Sequence, residues 1–324
     1  MKKWFQFLIG KRRISSNLII YFPPPFLPFQ LRNTWINCVN QYILFLYIKL
    51  IVRPKGPLIL WISNPYNYLM IKLLKPRISV YDCPDAIVFK DDGKRQKIYD
   101  QLKVKILRES TISFFTSNVL LEEGRKYSKN CFNVPNGVDI QSFIQSGYRI
   151  PKEIGNLSGT ILGVVGTFDD RIDLDLIDFI LENIRDATLL FVGPLQVKMG
   201  SLIKHPRVVL TGKRAYEEIP GFIRRFDVGL IPYRINDVTK AVYPVKLHEY
   251  LMLGKPVVST NLPEVEEFSE VVWIANSKEE FVSSIRKALQ MNNRIVEKKR
   301  IATAKNNSWE KRVNQIERII DKYY

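Results

Sequence analysis

The chain has 324 residues, which is longer than a single hydrophobic core usually organises, so two domains are expected. The apolar fraction of 46% is enough to form full cores. Its 49 Lys and Arg residues against 32 Asp and Glu residues give 49 − 32 = +17, which suits an acidic lipid surface or phosphorylated small molecules as partners. Because no zinc-finger spacing, RNP-like strand or basic repeat is present, we do not expect nucleic acid as a partner.

The cysteines and histidines argue against disulfide and metal chemistry. Cys38, Cys83 and Cys131 are odd in number and widely spaced, which suits a reducing cytoplasm. With two histidines in the chain, a histidine-based metal centre is not expected. We therefore expect a cytoplasmic protein that holds no metal ion.

Short β-branched strands alternate with helical patterns along the first half of the chain, which is typical of a parallel α/β sheet. Strands are predicted at 18–22, 58–62, 78–82, 112–116 and 131–134. Helices are predicted at 33–52, 66–74, 93–110 and 118–128. The apolar run 42–52 is too short to cross a bilayer and contains Lys49, so no transmembrane segment is predicted.

The second half is more regular and predicts a complete doubly wound domain. Strands are predicted at 160–166, 188–193, 208–212, 228–232, 256–260 and 270–274. Helices are predicted at 173–183, 216–226, 245–253, 278–291 and 308–322. Since 145–159 mixes Gly, Pro, Ser and charge without periodicity, we place a linker there and predict domains at 1–147 and 148–306, with a terminal helix at 307–324 that packs back toward the first domain.

The segment 244–260 carries the strongest candidate for a phosphate site. Proline opens its helix, where a missing N–H has no cost, and Gly254 closes it. Lys246 and Glu249 stand at i and i+3 and leave one face near the helix N-terminus, which attracts anions. A surface helix with one ion pair is the alternative.

Several ordered motifs resemble the group 1, retaining-type glycosyltransferases of the GT-B fold, in which two Rossmann-like parallel-sheet domains face each other across a cleft. The matching stretches are VPNGVD at 134–139, VVGTF at 164–168, FVGP at 191–194, HPRVVLTGK at 205–213, EEIPGFIRRFDVGLIPY at 217–233, PVKLHEYLMLGKPVVST at 244–260 and SWEKRV at 308–313. The stretch YDCPD at 81–85 resembles members that act in bacterial cell-surface polysaccharide synthesis.

The resemblance implies a substrate and a set of site residues. The substrate is a nucleotide diphosphate sugar, no metal or cofactor is needed, and the acceptor is lipid-linked or a polysaccharide. Lys246, Arg171 and Asp82 are the candidate catalytic residues. The candidate donor-binding residues are Glu249 and Lys246 with Gly166, Thr167, Gly193, Gly212, Lys213, Asn236, Thr239 and Val245, and the candidate hinge residues are Asn136 and Gly137.

Each weaker candidate has a structural alternative. Arg171 also suits an ion pair with Asp169 or Asp173, and Asn236 with Thr239 suits simple loop polarity. Asn136–Gly137 is also a turn signal, and Asp82 with Asp85 also suits a helix cap.

Two further signals read better as structure than as chemistry. Asp173 is interpreted as an N-cap rather than as part of a DxD metal motif, and His248 as a packed side chain. The usual family pattern places a second glutamate where this chain has Ala241, which leaves the bound sugar open.

The first domain departs most from the resemblance. The chain reaches LIIYFPPP, similar to the family's second strand, within about twenty residues. Residues 4–9 suit a shortened first strand or a segment lying on an anionic membrane surface at the inner face of the plasma membrane, with help from 40–52; a buried domain helix is the alternative for 40–52. A catalytically weak subunit that binds a partner enzyme or the membrane, and an epimerase, remain alternatives to the transferase.

Overall fold

The computed structural model describes residues 10–89, 92–144, 149–197 and 199–324, which form two compact units. The first unit comprises the described residues up to Thr116, with Leu120–Asn133 and Ile319–Tyr324. The second comprises Ser117–Val119 and Val134–Arg318. The units divide after Asn133, whereas the sequence analysis placed the domain boundary at residue 147.

The segment on either side of residue 147 joins the second unit because its apolar side chains are buried there. Phe143 and Ile154, from two short helices, belong to the hydrophobic core of that unit. Part of the predicted linker at 145–159 is therefore core, and its residues 145–148 lie outside the described residues.

The first unit begins with a two-stranded antiparallel hairpin. Strand β1 (Lys11–Arg13) pairs with β2 (Ile19–Tyr21), with Arg12 opposite Ile20. The prediction that 18–22 belongs to the parallel sheet is therefore wrong, because its strand partner is the adjacent basic segment. The predicted short strand at 4–9 lies outside the described residues.

A long helix follows the hairpin. Helix α1 (Thr34–Tyr47) is capped by the Asn33 side chain and continues as a π-helix over Ile48–Val52, which ends at the left-handed Arg53. By length and composition alone these 19 residues could cross a membrane. Of their most apolar 18-residue stretch, 17% is buried in the structure. The sequence analysis predicted this helix at 33–52, but it judged the ability to cross a membrane from the run 42–52 alone.

The parallel sheet of the first unit contains four strands in chain order. They are β3 (Ile59–Ile62), β4 (Ile78–Cys83), β5 (Ile112–Phe115) and β6 (Cys131–Asn133). The helices between them are α2 (Leu69–Leu74), α3 (Gly93–Glu109) and α4 (Asn118–Arg125). Because the described strands follow one another in space as in sequence, the strand order does not reverse in this sheet.

The second unit is built on a six-stranded parallel sheet. Its strands are β7 (Thr160–Val165), β8 (Ala187–Val192), β9 (Val208–Leu210), β10 (Val228–Ile231), β11 (Val257–Thr260) and β12 (Val272–Ala275). The spatial order is β12-β11-β10-β7-β8-β9, so the direction of winding reverses between β7 and β10. The predicted doubly wound sheet is confirmed, with strand ends within two residues of those predicted.

The second unit also contains nine described helices. They are α5 (Ile140–Ile144), α6 (Lys152–Gly155), α7 (Leu174–Asn183), α8 (Ile219–Arg224), α9 (Asp237–Lys240), α10 (Val245–Met252), α11 (Lys278–Gln290), α12 (Arg294–Asn306) and α13 (Trp309–Asp321), the last of which belongs to the first unit from Ile319 onward. The sequence analysis missed α12, which buries Arg300 and Ala304 and shows little apolar periodicity.

Candidate functional site

The site of interest lies where the strand order of the second sheet reverses. Gly166 directly follows strand β7, its neighbour β10 leads to Tyr233, and helix α10 supplies Lys246 from the connection between β10 and β11. In open α/β sheets, ligands bind beyond the carboxyl ends of the strands at such a reversal. The topology therefore selects this edge of the sheet.

Two glycines form the floor of the site. Gly166 has φ +119° and Gly193 has φ +146°, conformations that L side chains rarely adopt. A Cβ on Gly193 would lie 2.0 Å from the carbonyl oxygen of Gly166, and the Gly166 N–H donates to the Val192 carbonyl at 2.9 Å. The chain after β7 and the chain after β8 can approach this closely because neither residue carries a side chain.

Lys246 points over this floor. Its Nζ lies 3.2 Å from where a Cβ on Gly166 would stand and 4.9 Å from the ring centroid of Tyr233. The residue is 8% exposed, and among the described residues it forms no ion pair within 4.0 Å. The predicted alternative of an ion pair with Glu249 is therefore absent, which leaves a buried cation able to bind an anion.

Arg171 makes the ion pair that the sequence analysis gave as its alternative. Its guanidinium donates to both carboxylate oxygens of Asp169, at 2.7 to 3.1 Å, and lies 5.7 Å from the Tyr233 ring. Burial raises the pKa of Asp169, but the hydrogen bonds from Arg171 and the charges of Arg171 and Lys246 outweigh it, so the pKa lies below its usual value. Lys246 and Arg171 thus flank one aromatic ring.

Glu249 lies one turn along α10 and is 6% exposed. Burial raises the pKa of its carboxyl group to about 7, against the lowering effect of the Lys246 charge and of a hydrogen bond from Tyr216. Tyr216 directly precedes the motif at 217–233, and its hydrogen bond to Glu249 joins two stretches that are far apart in the sequence. The arrangement gives a carboxyl group that titrates near neutral pH beside a cation.

Helix α10 aims its N-terminus at the same place. Pro244 is the N-cap residue, so the helix begins at Val245 rather than at the proline itself. The first N–H groups of a helix have no intrahelical partner and carry partial positive charge. The apolar side of the helix, with Leu247 and Leu251, is fully buried.

His248 packs in the core, as the sequence analysis favoured. It is fully buried, its Nε2 lies 2.7 Å from the Tyr243 hydroxyl, and burial lowers its pKa to about 3. Asp173 caps α7 by accepting from the Leu176 N–H, as predicted.

Asn236 and Thr239 form a cap rather than an open ligand site. The Asn236 side chain accepts from the N–H groups of Val238 and Thr239. Thr239 is fully buried, and its hydroxyl donates to Arg234 and accepts from the Asn236 N–H. The structure thus gives both residues a role in shaping the turn before α10, and their contact with a donor stays a prediction.

The remaining donor-side candidates lie along the same edge. Gly212 follows β9 and forms an isolated bridge with Gly193. Lys213 beside it is exposed, Thr167 is half-buried after Gly166, and Val245 is half-buried at the start of α10. These positions are available to a ligand, and their roles stay predictions.

Asn136–Gly137 lies where the chain meets the start of α13. Gly137 does not have a positive φ, so it is not there for a glycine-specific turn. A Cβ at this position would lie 2.6 Å from the Trp309 backbone nitrogen. Close backbone approach is therefore the reason for the glycine, and a hinge role stays a prediction.

Asp82 lies in the first unit, inside strand β4. It accepts a hydrogen bond at 3.0 Å from the Trp61 indole N–H. Burial raises the pKa of this carboxyl group, although the Trp61 hydrogen bond lowers it. The helix that follows in the chain, α3, is capped by the Asp92 side chain instead, so Asp82 does not have the capping role given as its alternative.

A cavity of about 380 Å³ borders the switch point on the β10–β12 side. The residues that line it lie at or after the end of a strand or at the start of a helix, and they include Tyr233, Thr260, Asn261, Asn276, Ser277 and Lys278. Tyr233 and Thr260 end two of the family-like stretches, whereas Asn261, Asn276, Ser277 and Lys278 lie outside them and were not among the predicted site residues. Among the described residues, no group of three His, Cys, Asp or Glu side chains could hold a metal ion.

Comparison with known proteins gives a family-model match within the second unit. Residues 159–291 match the family model described as Glycosyl transferases group 1. The chain is also 28% identical over 227 residues to a protein of Bacillus subtilis (strain 168) whose name assigns it to teichuronic acid biosynthesis, the glycosyltransferase TuaH. The match covers 65% of this chain and 57% of that protein, so the chain spans little more than half of its relative's length.

Solved structures share the fold of the whole chain. A sucrose-phosphate synthase from Thermosynechococcus elongatus has a TM-score of 0.74 at 15% identity, covering 97% of this chain and 85% of the synthase. Anabaena HepE in complex with UDP-glucose has a TM-score of 0.67 at 14% identity, covering 82% and 78%. At these identities the likeness concerns the fold alone, and it confirms the two-domain GT-B class that the sequence predicts.

Proposed function

We propose that this chain, whose residues 159–291 belong to the group 1 glycosyltransferases, moves a sugar from a nucleotide diphosphate sugar to a lipid-linked or polysaccharide acceptor in cell-surface glycan synthesis. The observation that carries the proposal is Lys246, a buried cation without an ion-pair partner among the described residues. It lies over a glycine floor at the switch point of the sheet. Such a cation requires an anion, and a diphosphate meets that need.

The chemistry explains why cations belong here. During transfer the bond between the sugar C1 and the diphosphate oxygen breaks, and the electron pair leaves with the diphosphate. The acceptor oxygen forms the new bond to C1 and gives its proton to the diphosphate oxygen that departs. Preorganised cations and N–H groups aimed at the leaving oxygen stabilise the charge that develops. Lys246 and the first amides of α10 fill this role, with Thr167 and Arg171 as further donors.

The other donor-side residues bind different parts of the nucleotide. Glu249 accepts from the ribose hydroxyls, because a carboxylate accepts two charge-assisted hydrogen bonds from a cis-diol. Gly193, Gly212 and Lys213 follow β8 and β9 and border the nucleobase. Asp82, which is half-buried near the end of strand β4, is the proposed acceptor-side group.

The names of the relatives indicate which nucleotide sugar donors should be tested first. HepE is solved with UDP and with UDP-glucose, which makes uridine donors the first choice. The name of TuaH refers to teichuronic acid, which supports a cell-surface polymer as acceptor. We place the enzyme in the cytoplasm, at the inner face of the plasma membrane, where nucleotide sugars are made.

The test is a panel of UDP, GDP and dTDP sugars, read by thermal shift and then by transfer of labelled sugar. One nucleotide class is expected to raise the melting temperature, by an amount that grows with its concentration. Glu249→Ala should lose most of this shift because the ribose loses its acceptor. Glu317→Ala is the matched control, since Glu317 is an exposed glutamate of the same unit and should change nothing.

Absence of a shift with every nucleotide, or equal binding by Glu249→Ala and wild type, would show that the proposal is wrong.

A second function also has a specific observation in its favour. The described parallel sheet of the first unit has four strands, and Ala241 stands where the family has a glutamate. Both suit a catalytically weak subunit that binds a partner enzyme. Transfer by the purified chain alone would exclude that alternative.

A further inference from the structure

The outer face of the first unit is formed by helix α1, its π-helical extension and the β1–β2 hairpin. We propose that this outer face docks onto an anionic phospholipid bilayer, with the helix lying along the membrane interface rather than crossing it. The proposal concerns the first unit only and does not rest on the proposed transferase activity.

One side of the helix is fixed to the body of the unit by polar contacts. The Asn37 side chain donates to the Tyr66 carbonyl at 3.1 Å, and the Gln41 side chain accepts from the Leu69 N–H at 2.8 Å. Asn40 bonds both the N–H and the carbonyl of Leu27. A helix that crossed the bilayer would lose these bonds and would place three amide side chains in hydrocarbon, which costs several kcal/mol for each unsatisfied group. The helix therefore stays with its unit.

The opposite side of the same helix is apolar and faces outward. Trp35, Tyr42, Leu46 and Leu50 follow one another at spacings of seven, four and four residues, so they share one helical face. Each is more than half exposed. A surface with aromatic and leucine side chains on one face and fixed polar groups on the other matches helices that lie in the headgroup region.

An open apolar cavity extends this surface toward the hairpin. It has a volume of about 380 Å³ and is lined by apolar side chains, among them Pro24, Ile43, Leu46, Tyr47 and Leu50. Large exposed apolar patches on soluble units mark interaction sites. An acyl chain matches the chemistry of this cavity.

Charge selects an anionic bilayer as the occupant. Residues 10–81 contain no Asp or Glu and carry the ten basic residues Lys11, Arg12, Arg13, Arg32, Lys49, Arg53, Lys55, Lys72, Lys75 and Arg77, of which Arg32 is paired with Asp92 and Lys72 with Glu109. Lys11, Arg12 and Arg13 form strand β1 and are exposed, and Lys49 is exposed beside Leu50. Basic residues next to an apolar face favour anionic headgroups, whereas a second copy of this face would bring like charges together.

The experiment is flotation of the full chain with vesicles. Binding is expected to vesicles of phosphatidylglycerol with phosphatidylcholine, to be weaker on phosphatidylcholine alone, and to fall as salt rises because screening shortens the range of the attraction. Equal binding to both vesicle types at every salt concentration would overturn the charge argument.

Paired variants locate the surface. Arg12→Ser with Arg13→Ser should weaken vesicle binding by roughly fivefold per residue, about 25-fold together. Lys126→Ser with Lys129→Ser, two exposed basic positions outside the outer face, should leave it unchanged. Leu50→Glu should weaken vesicle binding by at least about tenfold, since a charge replaces an exposed leucine that the bilayer would bury. Ile295→Glu, at another exposed apolar position, should leave vesicle binding unchanged.

Two outcomes would exclude the interfacial arrangement. If alkaline carbonate fails to release the vesicle-bound chain, α1 crosses the bilayer and the proposal is wrong. If Leu50→Glu dissociates a dimer in sedimentation experiments while vesicle binding persists, the outer face joins two copies of the chain. Circular dichroism of each variant shows that it is folded, and nucleotide binding in solution tests the transferase proposal separately.

Discussion

Glu249 couples the stability of the protein to pH. Burial raises the pKa of this carboxyl group from 4.5 to about 7. Between these values the folded state holds a proton that the unfolded state has lost, so the free energy of unfolding decreases as pH rises. The stabilising effect is complete below the unfolded pKa and is lost above the folded one, and the difference corresponds to roughly 3 kcal/mol.

Glu249→Gln should remove this pH dependence, because the amide is neutral at every pH. The variant and the wild type are expected to melt at similar temperatures near pH 4.5. Well above pH 7 the variant should melt higher by roughly 5 °C, since the wild type must ionise a buried group. Differential scanning calorimetry across this range measures the effect. Glu317→Gln, at an exposed position, should show no such trend, and a constant difference between Glu249→Gln and wild type would contradict the assignment.

Residue types and spacing identified Lys246 and Glu249, but not their state. The i, i+3 spacing predicts a common face and permits an ion pair. In the structure Lys246 turns toward Gly166 and Tyr233 instead, while Arg171 takes Asp169 as its partner. The Arg171–Asp169 pair is local and was one of the alternatives that the sequence offered, whereas Gly166 is far from Lys246 in sequence, so no local pattern could reveal where Lys246 points.

At the scale of elements, Gly137 holds the start of α13 against the preceding chain. The Val138 N–H donates to the Asn307 carbonyl at 3.0 Å, and the Trp309 N–H donates to the Val138 carbonyl at 3.1 Å. A Cβ on Gly137 would lie 2.6 Å from the Trp309 nitrogen and 2.8 Å from the Ser308 carbonyl carbon. Backbone atoms cannot move aside as the end of a flexible side chain does.

Gly137→Ala should therefore destabilise the protein by about 1–3 kcal/mol, the usual cost of overpacking. Chemical denaturation followed by circular dichroism measures the change. Gly155→Ala is the matched control: nothing lies within 4 Å of its Cβ position, and alanine suits its short helix. Equal midpoints for the two variants would show that the backbone at Gly137 has room for a methyl group.

Element prediction succeeded where the pattern is local and failed where the partner is distant. The six strands of the second sheet follow from short apolar runs rich in β-branched residues, three of which lead into a glycine, at Gly166, Gly193 and Gly212. Strand β2 was assigned to the wrong sheet because its pairing with Lys11–Arg13 is not encoded in its own residues. Helix α12 was missed because its contacts with the second unit involve Arg300 and Ala304 rather than an apolar stripe.

At the scale of the whole molecule, the proposed reaction uses the protein's own cations. Retention is expected from the resemblance to retaining-type enzymes, and independence from metal is expected because Lys246 and the α10 amides meet the charge on the leaving diphosphate. The anomeric proton coupling of the product, measured by NMR, should match that of the donor, and EDTA should leave the rate unchanged. Lys246→Met should lower kcat by at least about a hundredfold.

An inverted product would contradict the retaining mechanism. A rate that falls in EDTA and returns with Mg²⁺ would instead mean that a cation outside the protein carries the charge. The control for Lys246→Met is Lys240→Met, at an exposed position just before the same helix, which should keep the wild-type rate.

The sequence by itself determined the alternation of strands and helices, the order of the family motifs and the spacing of Lys246 and Glu249, because each depends on neighbouring residues. The tertiary structure decided which cation is paired, how far burial raises the pKa of Glu249, and which side of α1 faces outward. These properties depend on groups brought together from distant parts of the chain, and burial and charge pairing have no local signature.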